Sequence, residues 1–181
     1  MADAVQAFVM FEAAESTFGN FTKGESRHKD FPADKGWIEC KGIDWTIAAE
    51  TNFDEGGGAS VGKPTTEALS FKHAYDLAGP QLQGYIAAGA HFKVVEFRVC
   101  KAVGTNTTVA YLIIRLDTAF CTEANLSLGA DGKLEQEVKL VFKKIDIRYQ
   151  MQTETGKLEG TASQLVWEVQ GHEQVTVTGP V

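Results

Sequence analysis

The sequence predicts a mainly β protein: a small antiparallel β-barrel, made of two packed sheets, with one short flanking α-helix at about 80–89. Three observations carry this. Apolar and polar residues alternate over most of the chain, the period of a half-buried strand. Helical spacing occurs in one stretch, between Pro80 and Gly89. Gly, Asn and Asp clusters separate the strand runs. With 181 residues, 44% of them hydrophobic and 23% charged, the chain suits a single domain, 1–181, with a real core.

Val5 to Phe11 is β-branched and aromatic and opens as a strand. Ser16 to Lys35 is polar and turn-rich, a loop long enough to need a purpose. Trp37 to Ala49 resumes the strand pattern, with Ile43, Trp45 and Ile47 alternating against Asp44 and Thr46. Thr51 to Thr66, with Gly56, Gly57 and Gly58, reads as a second long loop. From Ala68, one face carries Leu69, Phe71, His73 and Tyr75, and the other Ser70, Lys72, Ala74 and Asp76.

The helix follows. Pro80 suits its first position and Gly89 the residue past its end. Leu82, Tyr85 and Ile86 form one apolar stripe, while Gly84 weakens the helix by roughly 1 kcal/mol relative to Ala. Such a helix needs docking. Val95 to Cys100 then alternates as a strand, with a turn at Gly104–Asn106. Thr107 to Leu126 is long enough to be a bent strand or two in sequence, and Asp131-Gly132 is a turn. Leu134 to Met151 changes phase at Lys143-Lys144, which predicts a bulge or a strand passing between two sheets. Thr153 to Ser163 reads as loop, and Gln164 to Thr178 as two short strands around Gly171.

The net charge of −7 excludes a general nucleic-acid binder, which is basic overall or carries a basic stripe. Lys139, Lys143, Lys144 and Arg148 are interrupted by Asp146 and read as a solvated or subunit-contacting face. The first residues lack the basic start and apolar run of a signal peptide, and no run is long enough to span a bilayer. No membrane insertion is expected. Cys40, Cys100 and Cys121 are widely spaced, without a CxxC pair, so neither a disulfide framework nor a metal site is predicted. The four histidines likewise lack ligand spacing, and His73 near Asp76 is read as a structural histidine.

Two catalytic look-alikes overlap in the glycine loop. Gly57 to Lys63 matches G-x-x-x-x-G-K, but Pro64 stands where the magnesium-binding hydroxyl belongs, and a strand pattern follows instead of a helix. Gly58-Ala59-Ser60-Val61-Gly62 matches G-x-S-x-G, which makes Ser60 a candidate nucleophile only within strand–turn–helix. A surface loop fits both stretches better. No cofactor and no enzyme activity are expected.

Several blocks, in order, resemble the hemolysin-coregulated proteins (Hcp), the tail-tube proteins of type VI secretion. They are Gly24-Glu25-Ser26, then Trp37-Ile38-Glu39 with Ile43-Asp44-Trp45, and Gly62-Lys63-Pro64 with Leu69-Ser70-Phe71-Lys72-His73. Asp76, Pro80, Leu82 and Gly89-Ala90-His91-Phe92-Lys93 continue the series, followed by Tyr111 to Leu116 and by Glu137-Val138-Lys139-Leu140 with Lys144-Ile145. The resemblance covers about residues 5–151, with 160–181 as an extension.

The resemblance implies a homohexameric ring whose copies stack into a tube, driven out by sheath proteins behind a spike protein. Small secreted effectors are carried in the lumen. The protein is then made in the bacterial cytoplasm without a signal peptide and exported to the medium or a target cell. Glu25 and Ser26 in the first loop, and Asp54, Gly57 and Ser60 in the second, are the expected ring-stacking residues. Gln81 and Gln83 are expected on a sheath-facing side of the helix, and Gly79 replaces the family's serine N-cap. The alternatives are a monomeric ligand-binding β-barrel and a serine hydrolase using Ser60.

Overall fold

The computed structural model describes residues 5–14, 22–53, 59–102, 108–153, 156–169, 171 and 173–178. Asp54 and Gly57 lie outside these residues. The strands are β1 (Val5–Ala13), β2 (Trp37–Asp44), β3 (Ile47–Ala48), β4 (Thr51–Phe53), β5 (Ala59–Val61), β6 (Thr65–Thr66) and β7 (Leu69–Ala74). The helix α1 (Ala78–Ala88) leads to β8 (Phe92–Ala102), β9 (Thr108–Leu128), β10 (Leu134–Gln152), β11 (Leu158–Glu168) and β12 (Glu173–Thr178).

The main sheet runs β12-β11-β10-β7-β2-β1-β8-β9, and β9 pairs back onto β10. That closes a six-strand barrel, with β11 and β12 continuing outside it. Closure removes most of the open edge that an antiparallel sheet would otherwise expose. The inward phase supplies the core: Val9 and Phe11 from β1, Ile38 from β2, Leu69 and Phe71 from β7, Val95 and Phe97 from β8. Leu116 of β9 and Val138, Leu140 and Ile145 of β10 complete it, all essentially without solvent contact.

The phase change in β10 is a change of neighbours. Glu135 to Leu140 pair with β7, whereas Lys144 to Gln152 pair with β11. Buried positions accordingly step from Gln136, Val138, Leu140 and Phe142 to Ile145. Opposite this step, β9 bends at Thr118, where φ is 52°, and its pairing with β8 ends at Ala119. The residues from 108 onward therefore form one bent strand, and β10 exchanges β7 for β11 as its neighbour within a single sheet instead of passing between two.

Three expectations are corrected. Thr51 to Thr66 is not a loop but a two-stranded arm, with Ile47–Ala48 paired to Thr65–Thr66 and Thr51–Phe53 paired to Ala59–Val61. It continues the β2–β7 hairpin outward, and residues 46–51 are all exposed. The run of exposed residues from 46 to 51 carries no burial period. Second, β11 begins at Leu158, inside the expected 153–163 loop. Residues 158–161 are exposed on both faces, which again removes the alternation signal. Third, α1 begins at Ala78 and Gly79 lies within it. Asp76 acts as the cap, its Oδ1 accepting the Ala78 N–H at 2.9 Å.

Candidate functional site

The two ends of the barrel differ. At one end β7 stops, α1 crosses, and β8 begins. Leu82 and Tyr85 of the predicted apolar stripe are buried there, Tyr85 with its ring 4.2 Å from Phe92, and Ile86 is half-buried. Gly79 meets Tyr75 so closely that a Cβ would fall 2.3 Å from its ring. The glycine at this position thus answers to packing.

Over this helix end runs a strap, residues 22–27, containing Gly24-Glu25-Ser26. Gly24 lies flat on β2, where a Cβ would come within 2.8 Å of the Trp37 carbonyl oxygen. Two side chains from the helix side hold its backbone. Gln81 Oε1 accepts the Lys23 N–H at 3.2 Å, and Asp76 Oδ2 accepts the Glu25 N–H at 3.1 Å. The Glu25 residue is exposed, whereas Ser26 is 6% exposed and its Oγ accepts the His28 N–H. Gln81 and Gln83 are half-buried, and Gln83 Oε1 accepts the Tyr75 hydroxyl at 3.2 Å.

Beneath the strap sits a polar cluster. His73 and Gln136 are both 0% exposed, with His73 Nε2 2.8 Å from Gln136 Oε1. Gln136 Nε2 donates to the Gly79 carbonyl at 3.5 Å. Burial pushes the Asp76 carboxyl above the usual carboxylate range, opposed by the Ala78 N–H, His73 and the Glu25 N–H. Sequence reasoning named His73 and Asp76 but not Gln136. Its signal was present: a glutamine in phase with Val138, Leu140 and Phe142.

The strap continues into a second, smaller core on the outer face of the sheet. Phe31 stacks on Phe8 at 4.4 Å and meets Trp37 edge-on at 5.0 Å. Arg98 lies over Trp37 at 5.3 Å. Nearby, His28 packs on both phenylalanines, a structural role.

The opposite end is open. Val5, Ile43, Trp45, Val99, Leu112 and Ile147 line an apolar recess of about 450 Å³. The arm leaves the barrel beside it, directly after Trp45. Ser60 lies in β5 of that arm, paired with Asn52 of β4 and followed in the chain by β6. A nucleophile elbow or phosphate loop requires strand–turn–helix, and the arm supplies neither. Among the described residues no three metal-ligating side chains cluster, and no helix is long and apolar enough to cross a membrane.

The outer faces carry ion pairs instead of a basic stripe. Lys139 pairs with Glu123 at 2.8 Å, Arg148 with Asp146 at 2.9 Å, and Lys144 with Asp117 at 3.6 Å. Residues of the predicted basic run are thus largely neutralised within the chain.

A closed barrel with one end helix, a strap and a paired arm matches a known family. Residues 14–149 match the family described as Type VI secretion system effector, Hcp. The chain belongs to the Hcp family. Protein hcp1 of Pseudomonas aeruginosa is 28% identical over 113 residues, which are 62% of this chain and 69% of that one. A solved type six secretion system protein shares the fold with a TM-score of 0.80 at 20% identity, over 94% of this chain and 99% of that one. Hcp1 from Salmonella typhimurium does so with a TM-score of 0.71 at 21% identity, over 95% and 99%. Hcp membership supports a type VI secretion tube protein that oligomerises.

Proposed function

We propose that this chain is the repeating subunit of a type VI inner tube. Six copies form a ring, rings stack, and a contractile sheath drives the tube out behind a spike protein with small effectors in the lumen. The observation that carries the stacking is the arm. Its strands pair only with each other among the described residues, and residues 46–51 at its base are all exposed. An exposed ribbon with its own backbone pairing gives a single chain little burial, whereas it gives a second copy an edge and a face to hold.

In this reading the arm reaches from the open barrel end to the adjacent ring, through Asp54, Gly57 and Ser60. Strap residues Glu25 and Ser26 belong to the receiving surface, with Ser26 shaping the loop and Glu25 offering charge. The helix side around Gln81 and Gln83 faces the sheath. The whole chain acts as one subunit and is exported with the tube.

The test is removal of 54–60. The deleted protein keeps its far-ultraviolet circular dichroism and forms rings, but electron microscopy shows few or no stacks. Stacking equal to the parent would sink the assignment of the arm. A second reading, a monomeric ligand-binding barrel, draws support from the 450 Å³ recess, a volume within the ligand-pocket range. It predicts a monomer.

A further inference from the structure

The cluster under the strap contains one unanswered polar atom. Gln136 donates its Nε2 to the Gly79 carbonyl, which turns its Oε1 toward His73. An acceptor at 2.8 Å places a hydrogen on His73 Nε2. Nδ1 is then left without a hydrogen-bond partner. It lies 3.6 Å from Asp76 Oδ1, with the two side chains 0% and 11% exposed. A bare lone pair facing a carboxylate away from water is unfavourable, and one proton between them removes the conflict.

We propose that closing the 22–27 strap over the helix end takes up one proton at the His73–Asp76 pair, so that the strap tightens as pH falls and loosens as pH rises. The strap is what keeps Asp76 from water: Glu25 N–H lies on its Oδ2, and Lys23 is held beside it by Gln81. Lifting the strap returns the carboxylate to solvent, where it needs no proton at neutral pH. The closed state therefore binds the proton more tightly than the open one, and linkage fixes the sign. Burial raising the Asp76 carboxyl agrees with it. The proton belongs to the pair and not to one member.

The charges that face Asp76 are His73 on β7 and Glu25 on the strap. Glu25 acts in the same direction, discouraging a second negative charge. The neighbouring β10 side chain, Gln136, and the helix side chain, Gln81, are neutral. The latch stands on contacts within one chain, so its failure leaves the tube reading untouched.

Amide hydrogen exchange between pH 5 and pH 8.5, corrected for intrinsic rates, reads the latch directly. Protection of the Lys23 and Glu25 amides rises on acidification, by up to about tenfold per pH unit within the titration, while amides of Leu82 to Ile86 stay constant. In Asp76→Asn no carboxylate is left to titrate, so protection is flat with pH; it is also lower, because one oxygen cannot accept both the Ala78 and the Glu25 N–H. In Glu25→Gln the pair is intact and the slope remains. Flat protection in the parent protein overturns the proposal, as does an unchanged slope in Asp76→Asn. Loss of the slope in Glu25→Gln would assign the proton to Glu25 and overturn it too. If Asp76→Asn does not fold, the parent and Glu25→Gln profiles still decide.

Discussion

At the scale of single residues, the thiols and the helix glycines make opposite uses of packing. All three cysteines are buried and free. Burial pushes Cys40 and Cys121 up to about 12 and Cys100 to about 11. Unfolded thiols titrate near about 8.5. The folded thiols are raised, so the stability they contribute is intact below that pH and lost as pH climbs toward their folded values. The native protein should resist a thiol reagent at pH 8, release three thiols in denaturant, and lose thermal stability steeply above about pH 9. Rapid labelling of the folded protein would contradict this.

Gly79 and Gly84 separate by their surroundings. A Cβ at Gly84 meets nothing within 4 Å, so Gly84→Ala should raise stability by about 1 kcal/mol. At Gly79 a Cβ would meet the Tyr75 ring, so Gly79→Ala should cost about 1–3 kcal/mol despite the better helix propensity. Urea denaturation of both variants checks the pair. Equal shifts of the same sign would mean that Tyr75 packing is not what excludes a side chain.

At the scale of elements, legibility followed burial. Strands with one buried face, such as β7 and β8, were readable because Leu69, Phe71 and His73 or Val95, Phe97 and Val99 alternate with polar residues. The step in β10 was readable for the same reason, since exchanging β7 for β11 moves the buried face. The arm was not readable, because residues 46–51 are all exposed and show no alternation of burial. The start of β11 was hidden likewise. The helix starts two residues before Pro80, because the side chain that caps it, Asp76, acts from four residues upstream of that proline. Of the candidate site, the Gly24-Glu25-Ser26 block was legible as a motif, but its anchors, Asp76 and Gln81, come from elements distant in sequence.

The segment that follows the strap offers an element-level test. Phe31 is 4% exposed and joins Phe8 and Trp37 in a core separate from that of the barrel. Phe31→Ala should cost about 3–5 kcal/mol if the segment unfolds only with the whole protein. A much smaller cost, with proteolysis confined to residues 22–36, would show that the segment opens as a local unit.

At the scale of the whole molecule, the chain combines a sealed barrel end under helix and strap with an open end that carries the arm. Two unlike ends suit heterologous, head-to-tail contacts, in which one surface of each copy meets a different surface of the next. The charged faces between the ends are paired off within the chain, by Lys41–Glu135, Lys72–Glu137 and Lys139–Glu123 among others. Surface pairs of this kind contribute little to stability, about 0–1 kcal/mol each, so their disposition matters more for which faces meet.

The central claim is that this subunit assembles into rings, and native mass tests it most directly. Light scattering on the eluted peak of a sizing column, at high protein concentration, should give about six times the 19.7 kDa of one chain. A persistent mass of 19.7 kDa under those conditions would contradict the ring and favour the ligand-binding barrel.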